Sequence, residues 1–194
     1  MNSAPRGGVL ILPGGKPQSD EASSALQLAN LRMDWLALEL RLRFGAGVRV
    51  NRVRYRLRGW NGSRRDPVRD ARDVLDRMLT DVEPRRIVLV GHSMGGRVAA
   101  HLSADSDIGG VVALAPWWPR DDGDLVPVTC RLLVVHGTAD TRTDPRASQD
   151  QVQRARDRGV DAEWVGIPGA GHNLLSHWSR WHRLTAQFVA QQIS

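Results

Sequence analysis

The sequence predicts an α/β protein built on a doubly wound, mostly parallel six-stranded sheet. Three observations carry that prediction. Short apolar runs without polar alternation recur along the chain, as expected of strands covered on both faces. Stretches with apolar residues at three-and-four spacing lie between them, as expected of helices packed on a sheet. Most of the runs stop at glycine or proline, where the chain must turn. Alternating units of this kind argue for one layered sheet with crossover helices.

The first run, Val9-Leu10-Ile11-Leu12, stops at Pro13-Gly14-Gly15. Residues 20–43 follow with Leu26, Leu28, Leu31, Met33, Trp35, Leu36, Leu38, Leu40 and Leu42, a broad apolar helical face. The second strand differs from the others. Val48-Arg49-Val50-Asn51 and then Arg52-Val53-Arg54-Tyr55-Arg56-Leu57 alternate apolar with polar, mostly arginine. A buried unpaired charge costs several kcal/mol, so a central strand does not hold that many guanidinium groups. An edge strand does, and charge there blocks pairing with another chain.

Residues 68–81 carry Val68, Ala71, Val74, Leu75, Met78 and Leu79 at helical spacing. Ile87-Val88-Leu89-Val90 stops at Gly91, and a helix is expected through Arg97–Leu102. Val111–Leu114 stops at Ala115-Pro116, and Leu132–Val135 at His136-Gly137. Asp144-Pro145 reads as an N-cap followed by proline at the first helical position, opening a helix to about Arg158. Glu163–Ile167 is the last strand, and 176–192 the final helix. Nothing splits the chain, so a flexible N-terminus over 1–8 and a single domain over 9–194 are expected.

Composition fits this frame. The chain has 194 residues, 41% apolar and 25% charged, suited to one globular domain. The single cysteine, Cys130, rules out an intrachain disulfide and a cysteine-only metal cage. No apolar run approaches the length of a membrane span, and the N-terminus lacks a signal-peptide core, so a cytoplasmic protein is expected. Lys plus Arg is 27 and Asp plus Glu is 21, a net charge of +6. Between Arg41 and Arg65 lie nine arginines and no acid, so the remainder of the chain is slightly acidic. With few tyrosines and phenylalanines and no nucleic-acid motif, this stretch reads as a solvated edge, not as a nucleic-acid surface.

The chemistry is expected at the strand ends. Gly91-His92-Ser93-Met94-Gly95 is a G-x-S-x-G sequence between a buried strand and a helix, the context that motif requires. Ser93 then projects its hydroxyl at the carboxyl end of the sheet, where the helix also points its first N–H groups. A serine hydroxyl needs a base. Of six histidines, His92 is expected to point away from Ser93, His101 lies on a helix, His136 caps a strand, and His177 and His182 lie on the last helix. His172 sits in Gly169-Ala170-Gly171-His172-Asn173, a glycine-bracketed loop after the last strand, and is the expected base. The base needs an anion to hold its tautomer. Asp140 follows a strand end and is the choice; Asp144 is explained as an N-cap, and Asp121, Asp122 and Asp124 are held in reserve. An oxyanion needs two N–H donors, expected from Met94 and from Gly15 in the loop after the first strand.

These stretches resemble the α/β-hydrolase superfamily, especially small lidless esterases similar to dienelactone-hydrolase-like proteins. The matching segments are Leu12-Pro13-Gly14-Gly15, Gly91–Gly96, His136-Gly137-Thr138-Ala139-Asp140 and Gly171-His172, in the family order. The resemblance implies Ser93 as nucleophile, Asp140 as acid and His172 as base, in a serine hydrolase of small or short-acyl esters. No metal or organic cofactor is implied, and the expected partner is a small-molecule ester, with no nucleic acid or membrane.

The chain departs from the family by lacking its first two strands. In the family's strand numbers the expected order is 4-3-5-6-7-8, which puts the arginine-rich strand at the edge. Pro13 also stands where many relatives carry histidine. No cap domain fits between Ala115 and Arg131, where Trp117 and Trp118 are expected as a pocket wall. Lys16, beside the oxyanion loop, is placed to meet a substrate carboxylate. Thioesterase, lactonase, peptidase and perhydrolase activities use the same residues, and a non-catalytic binding protein shares the fold. The sequence leaves these open, with the oligomeric state.

Overall fold

Six strands form one sheet: β1 (Gly7–Leu12), β2 (Val48–Arg52), β3 (Ile87–His92), β4 (Gly110–Leu114), β5 (Arg131–Gly137) and β6 (Ala162–Ile167). Their order is β2-β1-β3-β4-β5-β6 and every pair is parallel. This is the expected order, with wholly parallel pairing. The computed structural model describes residues 5–24, 27–173 and 175–193. Leu26, counted above in the first helical face, and residues 1–4 of the expected flexible N-terminus lie outside them.

Five helices cover the sheet: α1 (Leu28–Phe44), α2 (Asp66–Leu79), α3 (Met94–Ala104), α4 (Pro145–Asp157) and α5 (Trp178–Ile193). Alternate strand residues point to opposite faces. Leu10, Leu89, Val111 and Val134 pack with Leu75 of α2, Val98 of α3 and Val152 of α4. Val9, Val88, Val112 and Val135 pack with Met33 and Leu36 of α1 and Trp181 of α5. Burial on both faces is why these strands read as uninterrupted apolar runs.

Two boundaries and one helix face differ from expectation. β1 begins at Gly7, so Gly7 and Gly8 belong to the sheet, paired with Val48 and Arg49, and not to a flexible terminus. A Cβ at Gly7 would lie 2.5 Å from Ile193 and one at Gly8 2.8 Å from Met78, so neighbours pack where side chains would be. β2 is the edge strand as expected but ends at Arg52. Beyond it Asp70 takes both the backbone N–H and the Nε of Arg56, at 2.8 and 2.6 Å, which draws the chain towards α2. On α1, Met33, Leu36, Ala37 and Leu40 are buried, while Leu28, Leu31, Trp35, Leu38 and Leu42 are exposed.

The Arg41–Arg65 stretch is not an open patch of charge. Arg49 pairs with Asp81, Arg52 with Asp34, Arg56 with Asp70, Arg58 with Glu21, and Arg64 with Asp20 and Asp66. Five of the nine arginines are thus answered by carboxylates from other segments. Asp144 caps α4 as expected, its carboxylate accepting from the Arg146 N–H at 2.8 Å, with Pro145 next. Between β4 and β5 the only regular element is a short 3₁₀ turn, Asp122–Leu125, so no cap domain covers the strand ends among the described residues. Among them, too, no helix is long and apolar enough to cross a membrane.

Candidate active site

Ser93 is the single residue between the end of β3 and the start of α3. The turn is so tight that Ser93 has φ 54° and ψ −117°, a strained conformation for a residue with a side chain. Its neighbours hold it there. The Ser93 N–H donates to the Leu114 carbonyl, and its own carbonyl accepts from Gly96 and Trp117. The flanking glycines are required by contact. A Cβ at Gly91 would lie 2.1 Å from the Gly95 carbonyl oxygen, and one at Gly95 only 1.9 Å from that of Leu12.

The Ser93 hydroxyl donates to His172 Nε2 across 3.0 Å, and His172 Nδ1–H donates to Asp140 Oδ2 across 2.8 Å. The three side chains come from the ends of β3 and β5 and from the loop after β6. Asp140 is held on every side. Its Oδ1 accepts from the N–H groups of Arg142 and Thr143, at 2.8 and 3.1 Å. Its Oδ2 also accepts from the Thr143 hydroxyl at 2.8 Å and from His136 Nε2–H at 3.1 Å. Burial works to raise the Asp140 pKa, but the bonds from His172, Thr143 and Arg142 outweigh it and hold it at about 2. The carboxylate is therefore ionised at neutral pH. It keeps a proton on His172 Nδ1 and leaves Nε2 free to accept from Ser93.

Three side chains to which the sequence assigned no part in the site support it. Thr143 touches both Asp140 and His172, its hydroxyl oxygen 3.2 Å from Nδ1. His136 lies between Asp140 and the Ser148 hydroxyl, whose oxygen accepts from Trp164 Nε1. Burial lowers the His136 pKa, so the ring is neutral and its one N–H is available to Asp140. His92 does point away from the Ser93 hydroxyl, and its Nε2–H donates to the His172 carbonyl at 2.9 Å. The signal for two of them lies in spacing: His136 and Thr143 stand four before and three after Asp140, at the end of β5 and in the loop that follows it.

Burial, then the nearby His172, push the His92 pKa from 6.5 down to about 3. The folded state thus binds fewer protons here than the unfolded chain between those limits. His92 contributes its full stabilisation above pH 6.5 and loses it as the pH falls towards 3. Lowering the pH from 7 to 4.5 is expected to remove about 3 kcal/mol through this group alone. Urea unfolding at both pH values checks it: His92→Gln should reduce the pH dependence, and an unchanged slope would contradict the assignment. Asp140 acts in a lower window, its contribution present above pH 3.8 and lost as the pH falls through about 2.

A cleft of about 280 Å³ opens at Ser93 and His172, lined also by Gly15, Lys16, Met94, Trp117 and Thr143. Met94 is the first residue of α3, so its N–H has no acceptor within the helix. A side chain at Gly15 would lie 2.3 Å from Met94 Cε and 2.5 Å from the Arg58 carbonyl, so this loop tolerates no Cβ. Lys16 borders the cleft with its ammonium 3.6 Å from Glu21, a charge already answered. The tryptophan pair divides. Trp117 walls the cleft, but Trp118 is buried in the core and its carbonyl accepts from Gln151. Trp118 borders an adjoining recess of about 270 Å³ that shares Trp117, Arg142 and Thr143 with the cleft, so of the expected wall Trp117 faces the cleft and Trp118 the adjoining recess. Asp121, Asp122 and Asp124 pair with arginines and His101 and do not reach His172.

A parallel sheet in this order, with a serine on a strained strand–helix turn, is the α/β-hydrolase arrangement. The sequence profile of the alpha/beta hydrolase family matches residues 9–127, more than half of the chain, and the chain belongs to that family. The profile of the prolyl oligopeptidase family matches residues 113–194. The fold is similar to that of esterase PE8, with TM-score 0.69 and 17% identity over 98% of this chain and 94% of that one. It is similar to Arabidopsis thaliana SOBER1, with TM-score 0.70 and 15% identity over 97% and 99%. The apo form of Thermogutta terrifontis esterase 2 gives TM-score 0.68 and 18% identity over 98% and 85%. No curated protein matches the chain.

Proposed function

We propose that the protein is a serine hydrolase of small or short-acyl carboxylic esters. The observation that supports it most is the unbroken hydrogen-bonded line Ser93–His172–Asp140 at 3.0 and 2.8 Å, facing an open cleft. Ser93 Oγ attacks the acyl carbon while His172 Nε2 takes its proton. The tetrahedral oxyanion accepts from the Gly15 and Met94 amides. Collapse expels the alcohol, which receives the proton from His172, and water repeats the sequence on the acyl-enzyme. Asp140 stays ionised throughout and steadies the imidazolium. No step calls on a metal or organic cofactor.

The names of two structural neighbours as esterases favour an ester substrate. The uncapped cleft favours a short acyl group and hydrolysis without interfacial activation. A peptidase reading is second, because the prolyl oligopeptidase profile covers the segment bearing Asp140 and His172. Rates on p-nitrophenyl acetate, p-nitrophenyl octanoate, a thioester and an aminoacyl amide separate these. Acetate is expected fastest and the amide slowest. A dominant amide rate would move the assignment to peptidase, and failure of a fluorophosphonate to label Ser93 would remove both.

A further inference from the structure

Beside the cleft lies a larger recess of about 490 Å³. Pro17 and Trp117 line both, so the two are one continuous surface with Trp117 as the partition. Arg65, Arg97 and Arg120 also line the recess, with Trp60 behind them, and no carboxylate does. Three basic residues thus face one hollow a single side chain away from the reacting serine.

Their charges are not balanced within the protein. Arg97 Nε donates to Asp122 at 2.8 Å, and that buried carboxylate also takes His101 Nε2 at 3.1 Å. The Arg97 guanidinium lies 4.1 Å from the Trp60 ring centre and 4.9 Å from that of Trp117, so it is fixed in place. Among the described residues the Arg65 side chain reaches only His101, at 3.5 Å, and neither Arg65 nor Arg120 has a carboxylate partner. Five other arginines of the same region, Arg49, Arg52, Arg56, Arg58 and Arg64, do meet acids. Asp122 offsets one of the three charges, which leaves about two.

We propose that this recess is a phosphate subsite, holding a phosphate monoester group carried by the ester whose acyl carbon Ser93 attacks. The proposal rests on the hydrolase reading above and names its substrate class. A phosphate monoester carries about −1.5 to −2 charges near neutral pH, which matches the two unanswered guanidinium groups better than a single carboxylate does. Guanidinium forks suit its oxygens. Arg97, already held by Asp122 and two indoles, is a preorganised wall and needs little ordering on binding. Arg65 and Arg120 are exposed and supply the attraction.

Acetoxyalkyl phosphates with linkers of three to six carbons test it, against the same esters ending in a methyl ether or in a carboxylate. Acetate release is followed at low salt. At the best linker length the phosphate ester is expected to exceed the uncharged ester in kcat/KM by on the order of tenfold or more, with the advantage shrinking in high salt. The Arg65→Gln/Arg120→Gln variant should erase that advantage and leave the uncharged ester and p-nitrophenyl acetate unchanged. Equal phosphate and uncharged rates in the unaltered protein would overturn the subsite. So would an equal preference for the carboxylate ester, or a variant that keeps the phosphate preference. If the double variant does not fold, by circular dichroism, Arg120→Gln alone carries the comparison, since its side chain has no ion pair to lose among the described residues. Calorimetric binding of propyl phosphate needs no turnover. Binding that the variant loses upholds the subsite even if p-nitrophenyl acetate is not hydrolysed, an outcome that would remove the hydrolase reading. No binding overturns the subsite while esterase activity stands.

Discussion

Ser93→Ala is expected to lower kcat on p-nitrophenyl acetate by on the order of 10³-fold or more. On the proposed mechanism the change removes the oxygen that forms the acyl-enzyme and leaves the imidazole and carboxylate without a nucleophile to activate. The fold should tolerate it. The Ser93 hydroxyl has one hydrogen bond, to His172, and the backbone bonds that hold the turn do not involve the side chain. Alanine at φ 54° carries much the same strain as serine, so the stability of the two proteins should be close. Kinetics with circular dichroism on the same preparation decide the matter. Activity within tenfold of the parent in a folded variant would mean that another group carries the reaction.

Asp140→Asn should be damaging on a similar scale, on the order of 10³-fold or more in kcat, with the reason in the surrounding donors. The N–H groups of Arg142 and Thr143 both point at Oδ1, so they select the carbonyl oxygen of an asparagine for that position. Its NH₂ then falls where Oδ2 was. There it opposes His136 Nε2–H and His172 Nδ1–H, donor against donor. His172 escapes by moving its proton to Nε2, the tautomer that cannot accept from Ser93. Asp144→Asn is the control. Asparagine caps a helix as well as aspartate does, and Asp144 bonds the Arg146 N–H, so activity within about twofold is expected. Equal losses from both substitutions, read as kcat on one ester, would show that the acid is misassigned.

Much of the fold was readable because parallel strands buried on both faces leave uninterrupted apolar runs, and β1, β3, β4 and β5 each have one. Ser93, Asp140 and His172 were readable because each lies within five residues of a strand's carboxyl end, so the sheet itself delivers them to one rim. The less readable parts depend on partners distant in sequence. Arg49, Arg58 and Arg64 meet acids 32 to 44 residues away, and nothing local announces that. Trp117 and Trp118 are adjacent and identical, and only the packing of Gln151 and the core decides which one faces the cleft. On α1 both stripes are leucine-rich, so composition does not say which of them meets the sheet. His92 was rightly read as turned from Ser93, but its bond to the His172 carbonyl joins residues 80 positions apart.

The imidazole enters from the loop after the last strand, long after the serine and its strained turn have been laid down. During synthesis, a chain extended through β5 and the turn bearing Asp140 holds the hydroxyl and the carboxylate but has no proton acceptor between them. On the proposed mechanism such a nascent chain is chemically silent towards esters. On that mechanism reactivity switches on only when β6 docks on the far margin and brings residue 172 across the rim, which makes hydrolytic competence a report that the sheet has closed to its final strand.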